Sequence, residues 1–290
     1  MGAPNKPGFA PDDSSVVFLQ SSGGSLTQQL WALDIASGEL SELAKPPEGV
    51  GEEETLSLEE KLRRERARQL HTGITSFAWA AETDSLLCPV GNDLFVMEGV
   101  GKPLTKLFDS AMLPGPALDA RISSDGTLVA FVCEKELYFC ASSASGDGSA
   151  PKQLTDSARG TALTNGLADF IAMEEMDRME GFWISPDSQF IAFEQSDESH
   201  IPPYRIMHQG SPTPSTQEDH HYPFAGAPNP KVGLGIVEVA TSTVVWLDLK
   251  SPFGDDFYLA RVQWAAGEYR GKHARTHAAS QYVYTGIQGD

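Results

Sequence analysis

Two adjacent acids, Glu174 and Glu175, are the side chains in this sequence best placed to do chemistry. They lie in the run 168–179, which has good helix formers and no Gly or Pro, and Gly181 separates that run from the strand-like residues 182–184. Two neighbouring carboxylates repel each other, and a cation that donates hydrogen bonds to both would relieve the repulsion. An ammonium group fits that description. A solvated helix face is the simpler alternative, and the spacing alone favours it.

The elements that would position this pair are set by an internal repeat. A small residue, a turn with Asp and a five-residue apolar strand recur from residues 10, 123 and 185, with a weaker copy at 80 and the start of a fifth near 261. Each copy follows a short strand, and most are followed by another. The pattern predicts an all-β fold, a partial β-propeller with about four four-stranded blades and inserted helical segments.

Two insertions interrupt the predicted blades. Residues 52–72 form a charged, helical segment, and residues 165–180 form the helix that carries the glutamates. A propeller gathers its connections at one rim, so both insertions could meet at one ligand. A mobile surface helix is the alternative for the first insertion. We expect the partial propeller to span 1–267 and an unmatched tail, open to disorder, to span 268–290.

Composition limits the partners. The formal net charge of -19 argues against binding nucleic acid phosphates or an anionic membrane surface. Residues 1–15 lack an apolar signal-peptide run, and no segment reaches the ~20 apolar residues that cross a bilayer, so we predict a soluble, cytoplasmic protein. The adjacent His220 and His221 lack metal-ligand spacing. We therefore predict no metal and no other cofactor.

The three cysteines, Cys88, Cys133 and Cys140, have spacings unlike those of metal or redox sites. We predict that they are small core residues in strands. In a reducing compartment no disulfide is expected between them.

The stretch 174–199 resembles the signature of the dipeptidyl peptidase IV family of serine peptidases: an E-E-x-D-R helix, an aromatic strand, an S-P-D turn and a D-E-S segment. Residues 58–79 and 220–239 resemble two further elements, the first typical of the cytosolic and prokaryotic-like branch of these prolyl oligopeptidase-type enzymes. The resemblance covers roughly residues 9–264 and implies the N-terminal β-propeller region of such an enzyme.

The resemblance also implies roles for particular residues. Glu174 and Glu175 match the pair that binds the free α-ammonium of the peptide and so limits cleavage to N-terminal dipeptides. Arg68 falls, by register, on the arginine that contacts the substrate backbone carbonyl, although Arg63, Arg64 and Arg66 crowd the same segment. The partner implied for the full-length relative is a peptide with a free N-terminus, and a homodimer of that relative is allowed.

Catalysis needs a G-x-S-x-G elbow followed by Asp and His on an α/β-hydrolase sheet, and the sequence contains no such elbow. We therefore predict no catalytic residues, a recognition region without its hydrolase domain, and no hydrolysis by this chain alone. The alternative from another class is a non-catalytic propeller that serves as an interaction platform. A glycosidase is disfavoured, because its two carboxylates flank a bond from different elements about 5 Å or more apart.

Overall fold

The computed structural model describes residues 2–51, 56–142, 150–207, 217–254, 256–265 and 282–288. Within these ranges the chain is mostly β, and its strands form several antiparallel sheets. The helices of the described part are short: α1 (Leu58–Arg66), α2 (Phe170–Glu175), α3 (Lys250–Phe253) and a 3₁₀ turn (Ser110–Met112).

Three sheets follow one another along the chain, each with four strands in sequential order. The first contains β1 (Asn5–Phe9), β2 (Ser15–Ser21), β3 (Thr27–Asp34) and β4 (Leu40–Ala44), with the short β5 (Thr72–Gly73) parallel to β3. The second contains β6 (Ala78–Trp79), β7 (Ser85–Val90), β8 (Asp93–Glu98) and β9 (Thr105–Lys106). The third contains β10 (Leu118–Ile122), β11 (Leu128–Cys133), β12 (Glu136–Ala141) and β13 (Lys152–Gln153).

The fourth sheet is less regular, because two of its connections are long. It contains β14 (Leu163–Asn165), β15 (Phe182–Ile184), β16 (Phe190–Asp197), β19 (Lys231–Glu238) and β20 (Val244–Trp246). Helix α2 lies between β14 and β15. A hairpin, β17 (Pro203–Met207) and β18 (Gln217–His221), lies between β16 and β19. The last pair is β21 (Tyr258–Ala265) with β22 (Tyr282–Gln288).

The hairpin forms within a proline-rich stretch. The prolines of residues 200–230 favour an extended connection over strands, and that prediction from the sequence is wrong at β17 and β18, which pair along five residues each. Pro203 occupies the first position of β17, where a missing N–H is tolerated.

Local side-chain hydrogen bonds explain the repeated phrase. The Ser123 hydroxyl donates to Asp125 at 2.6 Å and accepts the backbone N–H of Leu128, the first residue of β11. Ser185 donates to Asp187 at 2.6 Å and accepts the N–H of Phe190 in the same way. Each turn is closed by its own side chains, so the same short phrase gives the same strand start twice.

The core is a series of layers between consecutive sheets. Strand β11 is buried along its whole length: Val129, Phe131 and Cys133 face the second sheet, whereas Leu128, Ala130 and Val132 face the fourth. This alternation follows from the two-residue period of a strand covered on both faces. Further layers join the first sheet to the second and the fourth sheet to β21. Face-to-face packing of successive antiparallel sheets is consistent with a propeller-like fold.

The cysteines are buried strand residues, as predicted, and all three are free. Burial raises the pKa of the Cys88 and Cys140 thiols to about 12 and that of Cys133 to about 11. In the part of the chain that the structure describes, no helix is long and apolar enough to span a membrane.

The stretch 268–290, set apart by its sequence, is described only at β22, which pairs with β21. Residues 268–281 and 289–290 lie outside the described residues, as do 52–55 of the predicted insertion 52–72.

Candidate functional site

Helix α2 carries Glu174 and Glu175 on its last turn, and both side chains are exposed. The helix starts at its cap, Asp169, whose carboxylate accepts the N–H of Ala172 at 2.6 Å. It is shorter than the run 168–179, because Asp177 adopts a left-handed backbone (φ 48°) well before Gly181. That reversal turns the next side chain, Arg178, into the interior.

A buried ion pair supports this helix from below. The Arg178 guanidinium donates to the Glu194 carboxylate on β16 and to the carbonyl of Glu180. The other Glu194 oxygen accepts the backbone N–H of Asp169 at 3.3 Å. Both ends of the glutamate segment are therefore attached to one strand. Burial raises the pKa of Glu194 to about 8, and the Arg178 charge opposes that rise.

Helix α1 forms the facing wall. The Ser57 hydroxyl caps its N-terminus by accepting the N–H of Glu60 at 3.2 Å. Arg66, in its last turn, lies 3.9 Å from the Glu174 carboxylate through Nε, and its guanidinium stands 5.1 Å from the centre of the Phe170 ring. The two inserted segments are therefore in direct contact through Arg66, and their meeting at one ligand stays a prediction. Burial lowers the pKa of Arg66, and the nearby Glu174 charge opposes that shift.

Arg68, the arginine assigned by register, lies just beyond α1 in a left-handed conformation (φ 52°) and is exposed. It lines the same cavity as Glu174. Among the described residues no ion pair is found for Arg68, whereas Arg66 contacts Glu174. The role of Arg68 stays a prediction. Sequence reasoning did not single out Arg66, because four arginines within six positions give no local signal for which one faces the glutamates.

The two helices and the β17–β18 hairpin line an open cavity of about 910 Å³. Glu174 lines it, whereas Glu175 is not among the lining residues that the structure describes. The hairpin side contributes aromatic surface, because Tyr222 packs edge-on against Phe170 with ring centres 5.0 Å apart. Glu198 also lines the cavity, and burial raises its pKa. This acid and the aromatic wall follow from tertiary contacts that the sequence pattern did not indicate.

The arrangement suits a small cationic group with an attached chain. The exposed Glu174 carboxylate on one wall can accept charged hydrogen bonds, and the neighbouring arginines can donate to carbonyl oxygens of the same ligand. No group of three His, Cys, Asp or Glu side chains placed to hold a metal ion occurs in the described ranges.

Comparison with known proteins agrees with this all-β, propeller-like architecture. The solved structure of Porphyromonas gingivalis dipeptidyl peptidase 4 is similar to this chain, with a TM-score of 0.60 and 21% identity. The superposed region covers 88% of this chain and 34% of the Porphyromonas gingivalis chain. At this identity the likeness concerns the fold.

The family described as "Dipeptidyl peptidase IV (DPP IV) N-terminal region" matches residues 102–276, which is more than half of the chain. The protein therefore belongs to that family. The match ends within 268–290, the stretch that the sequence pattern had left unmatched.

Curated relatives carry related names. The chain is 25% identical over 258 residues to dipeptidyl peptidase 8 of Mus musculus, an alignment that covers 75% of this chain and 27% of the mouse protein. It is 28% identical over 143 residues to venom dipeptidyl peptidase 4 of Vespa velutina, covering 46% of this chain and 18% of the wasp protein. The chain thus spans about a quarter or less of the length of these relatives.

Proposed function

We propose that this chain is the substrate-recognition region of a dipeptidyl peptidase IV-like serine exopeptidase, and that Glu174 and Glu175 bind the free α-ammonium of a peptide. The observation that carries the proposal is the position of Glu174, exposed in a cavity and facing the arginine segment. Family membership supports it, because the matched family is the N-terminal region of such peptidases. In this proposal the two glutamates bind the substrate and take no part in breaking the peptide bond.

The geometry leaves the glutamate available to a ligand. At 3.9 Å, the contact between Arg66 Nε and Glu174 Oε1 is longer than a hydrogen bond, so it orients the carboxylate without occupying its oxygens. In this proposal Glu174 accepts N–H donors of the ammonium from inside the cavity, and the exposed Glu175, next to it on α2, accepts from the cavity edge. A blocked N-terminus would lack those charged donors, which gives discrimination in favour of free peptides.

We further propose that Arg68 contacts the first backbone carbonyl of the peptide. Its side chain is exposed and lines the cavity that contains Glu174. The four sheets correspond in this proposal to about four blades of a propeller, with helices α1 and α2 inserted at one rim.

A non-catalytic interaction platform is the second candidate, and the exposure of both glutamates favours it. In that case the pair is a solvated face and has no preference for a free amine.

The test is calorimetric titration of the chain with Ala-Pro and with N-acetyl-Ala-Pro. We expect binding of the free amine only. E174Q and E175Q should each weaken it about tenfold to a hundredfold, since losing one charged hydrogen bond costs roughly 1.5 to 3 kcal/mol. E98Q, which changes an exposed acid at the end of β8, is the matched control and should bind as the wild type does. Equal affinity for both peptides, or intact affinity in both glutamine variants, would favour the platform.

A further inference from the structure

Asp119 occupies an unusual position in strand β10. It lies at a register shift between Leu118 and Arg121, has a left-handed backbone (φ 49°) and is 9% exposed. Aspartate accepts this conformation more readily than most residues, so the residue type suits the bulge. The bulge brings a carboxylate into the junction between helix α1 and the third sheet.

One oxygen of Asp119 accepts from two guanidinium groups. Arg63 of helix α1 donates to Oδ1 through Nη2 at 2.7 Å, and Arg121 of β10 donates to the same atom through Nη2 at 3.0 Å. Arg121 also lies 3.5 Å from the carboxylate of Glu180, which follows the glutamate helix. A row of four charged side chains therefore links helix α1, the arginine helix, to the segment that carries the glutamates: Arg63, Asp119, Arg121 and Glu180.

This row of charged contacts bears on the position of Arg66. Arg63 and Arg66 are three residues apart on one helix, so they occupy neighbouring positions on its surface. When Asp119 holds Arg63, the helix can neither rotate nor slide without breaking a charged hydrogen bond in a largely buried site. The described ion pair of Arg64 is with Glu60 on the same helix, so it does not attach the helix to the third sheet.

We propose that Asp119 is a positioning residue of the recognition cavity, which holds the arginine helix so that Arg66 faces Glu174. The inference rests on the proposed function for its effect on ligand binding, but not for its effect on the helix. Asp119 contacts no ligand in this scheme. It acts through Arg63 and the helix.

The first experiment measures hydrogen exchange of the whole chain without ligand. D119N keeps the side-chain shape and loses the charge, and we expect roughly tenfold faster exchange of the amides in 60–68. R63M removes the same contact from the helix, where the side chain is 28% exposed, and should give the same result if D119N fails to fold. D93N breaks the ion pair of Asp93 with Lys106 in the second sheet and should leave 60–68 unchanged. Unchanged exchange in both D119N and R63M would overturn the proposal.

The second experiment distinguishes positioning from general destabilisation. Affinity for Ala-Pro is measured for D119N, R66M and the double variant. If Asp119 acts through Arg66, each single change weakens binding, and the double variant binds no more weakly than R66M alone. A further tenfold loss in the double variant, or a loss in D119N with none in R66M, would contradict the inference. Should the wild type not bind Ala-Pro, the proposed function fails, and the exchange rates alone decide whether Asp119 holds the helix.

Discussion

Arg178 and Glu194 form an ion pair that is almost completely buried, with side chains 1% and 0% exposed. The pair joins the end of the glutamate segment to the central strand of the fourth sheet, and the Asp169 N–H joins the start of the segment to the same carboxylate. The Arg178 guanidinium also stacks over the Trp183 ring at 5.8 Å. The exposed acids that would meet a ligand are therefore held by a pair that solvent does not reach.

Removing Arg178 should destabilise the fold strongly. R178M leaves the Glu194 carboxyl and the Glu180 carbonyl without their donor, and breaking a buried pair typically costs about 3 to 5 kcal/mol. Denaturant unfolding measures the change. R205M is the control, because it breaks an ion pair with Asp219 at 2.7 Å whose side chains are about half exposed, so we expect little change in stability. Similar losses in the two variants would show that burial of the first pair has no energetic consequence.

The buried Glu194 should make stability depend on pH. Burial raises its pKa from the ordinary value of 4.5 to about 8, so the folded chain keeps this proton over a pH range in which the unfolded chain loses it. Below that pKa the Arg178 guanidinium donates to a neutral carboxyl, and the contact becomes a true ion pair above it. The unfolding free energy contributed by this group is greatest below pH 4.5 and falls as the pH rises towards 8. E194Q cannot titrate and should show a flatter profile in denaturant unfolding at several pH values across this window. An exposed change, E98Q, should keep the wild-type slope, and equal slopes for E194Q and wild type would contradict the assignment.

Gly181 allows two backbone segments to approach closely. A Cβ at this position would lie 2.3 Å from the carbonyl carbon of Leu167 and 2.4 Å from that of Gly166, and neither atom can rotate away. G181A should therefore cost about 2 kcal/mol or more in thermal or denaturant unfolding and should displace helix α2. G8A, in β1, is the matched control, because its Cβ would meet the Phe77 side chain at an ordinary 3.4 Å. We expect that control to stay within about 0.5 kcal/mol of wild type.

A change at Arg68 should affect peptide binding without affecting folding. Arg68 is exposed and makes no described ion pair, so R68M should melt as the wild type does while weakening Ala-Pro binding up to about tenfold, the value of one hydrogen bond of about 1 to 1.5 kcal/mol. K61M changes an exposed cation on helix α1, the helix that precedes Arg68, and should affect neither property. Unchanged affinity in R68M would remove this residue from the peptide site and leave Arg66 as the arginine of interest.

Several features of this protein could be predicted from sequence because their causes are local. The phrases at 123 and 185 predict strand starts correctly, since Ser123 and Ser185 close their turns with hydrogen bonds to residues two to five positions away. The burial of the cysteines follows from apolar strands of the same kind. The acidic pair is visible as two adjacent letters on a short run of helix formers.

Other features depend on contacts between residues far apart in the chain. Arg66 meets Glu174 because helix α1 packs against α2 with a particular rotation, and Asp119, fifty-six positions from Arg63, sets that rotation. The hairpin β17–β18 forms from a proline-rich stretch because its strands pair with each other, and it lines one side of the cavity.

The sequence by itself determined the repeating strands, the family resemblance and the acidic pair, because each depends on short runs of residue types. Only the tertiary structure decided which arginine faces the acids, that Arg178 lies inside, and that Glu174 lines the cavity. The physical reason is that a charged side chain in a segment with many charges can adopt several orientations and pair with several partners. Burial, helix rotation and the available partner charges select one of them, and these exist only once the sheets have packed.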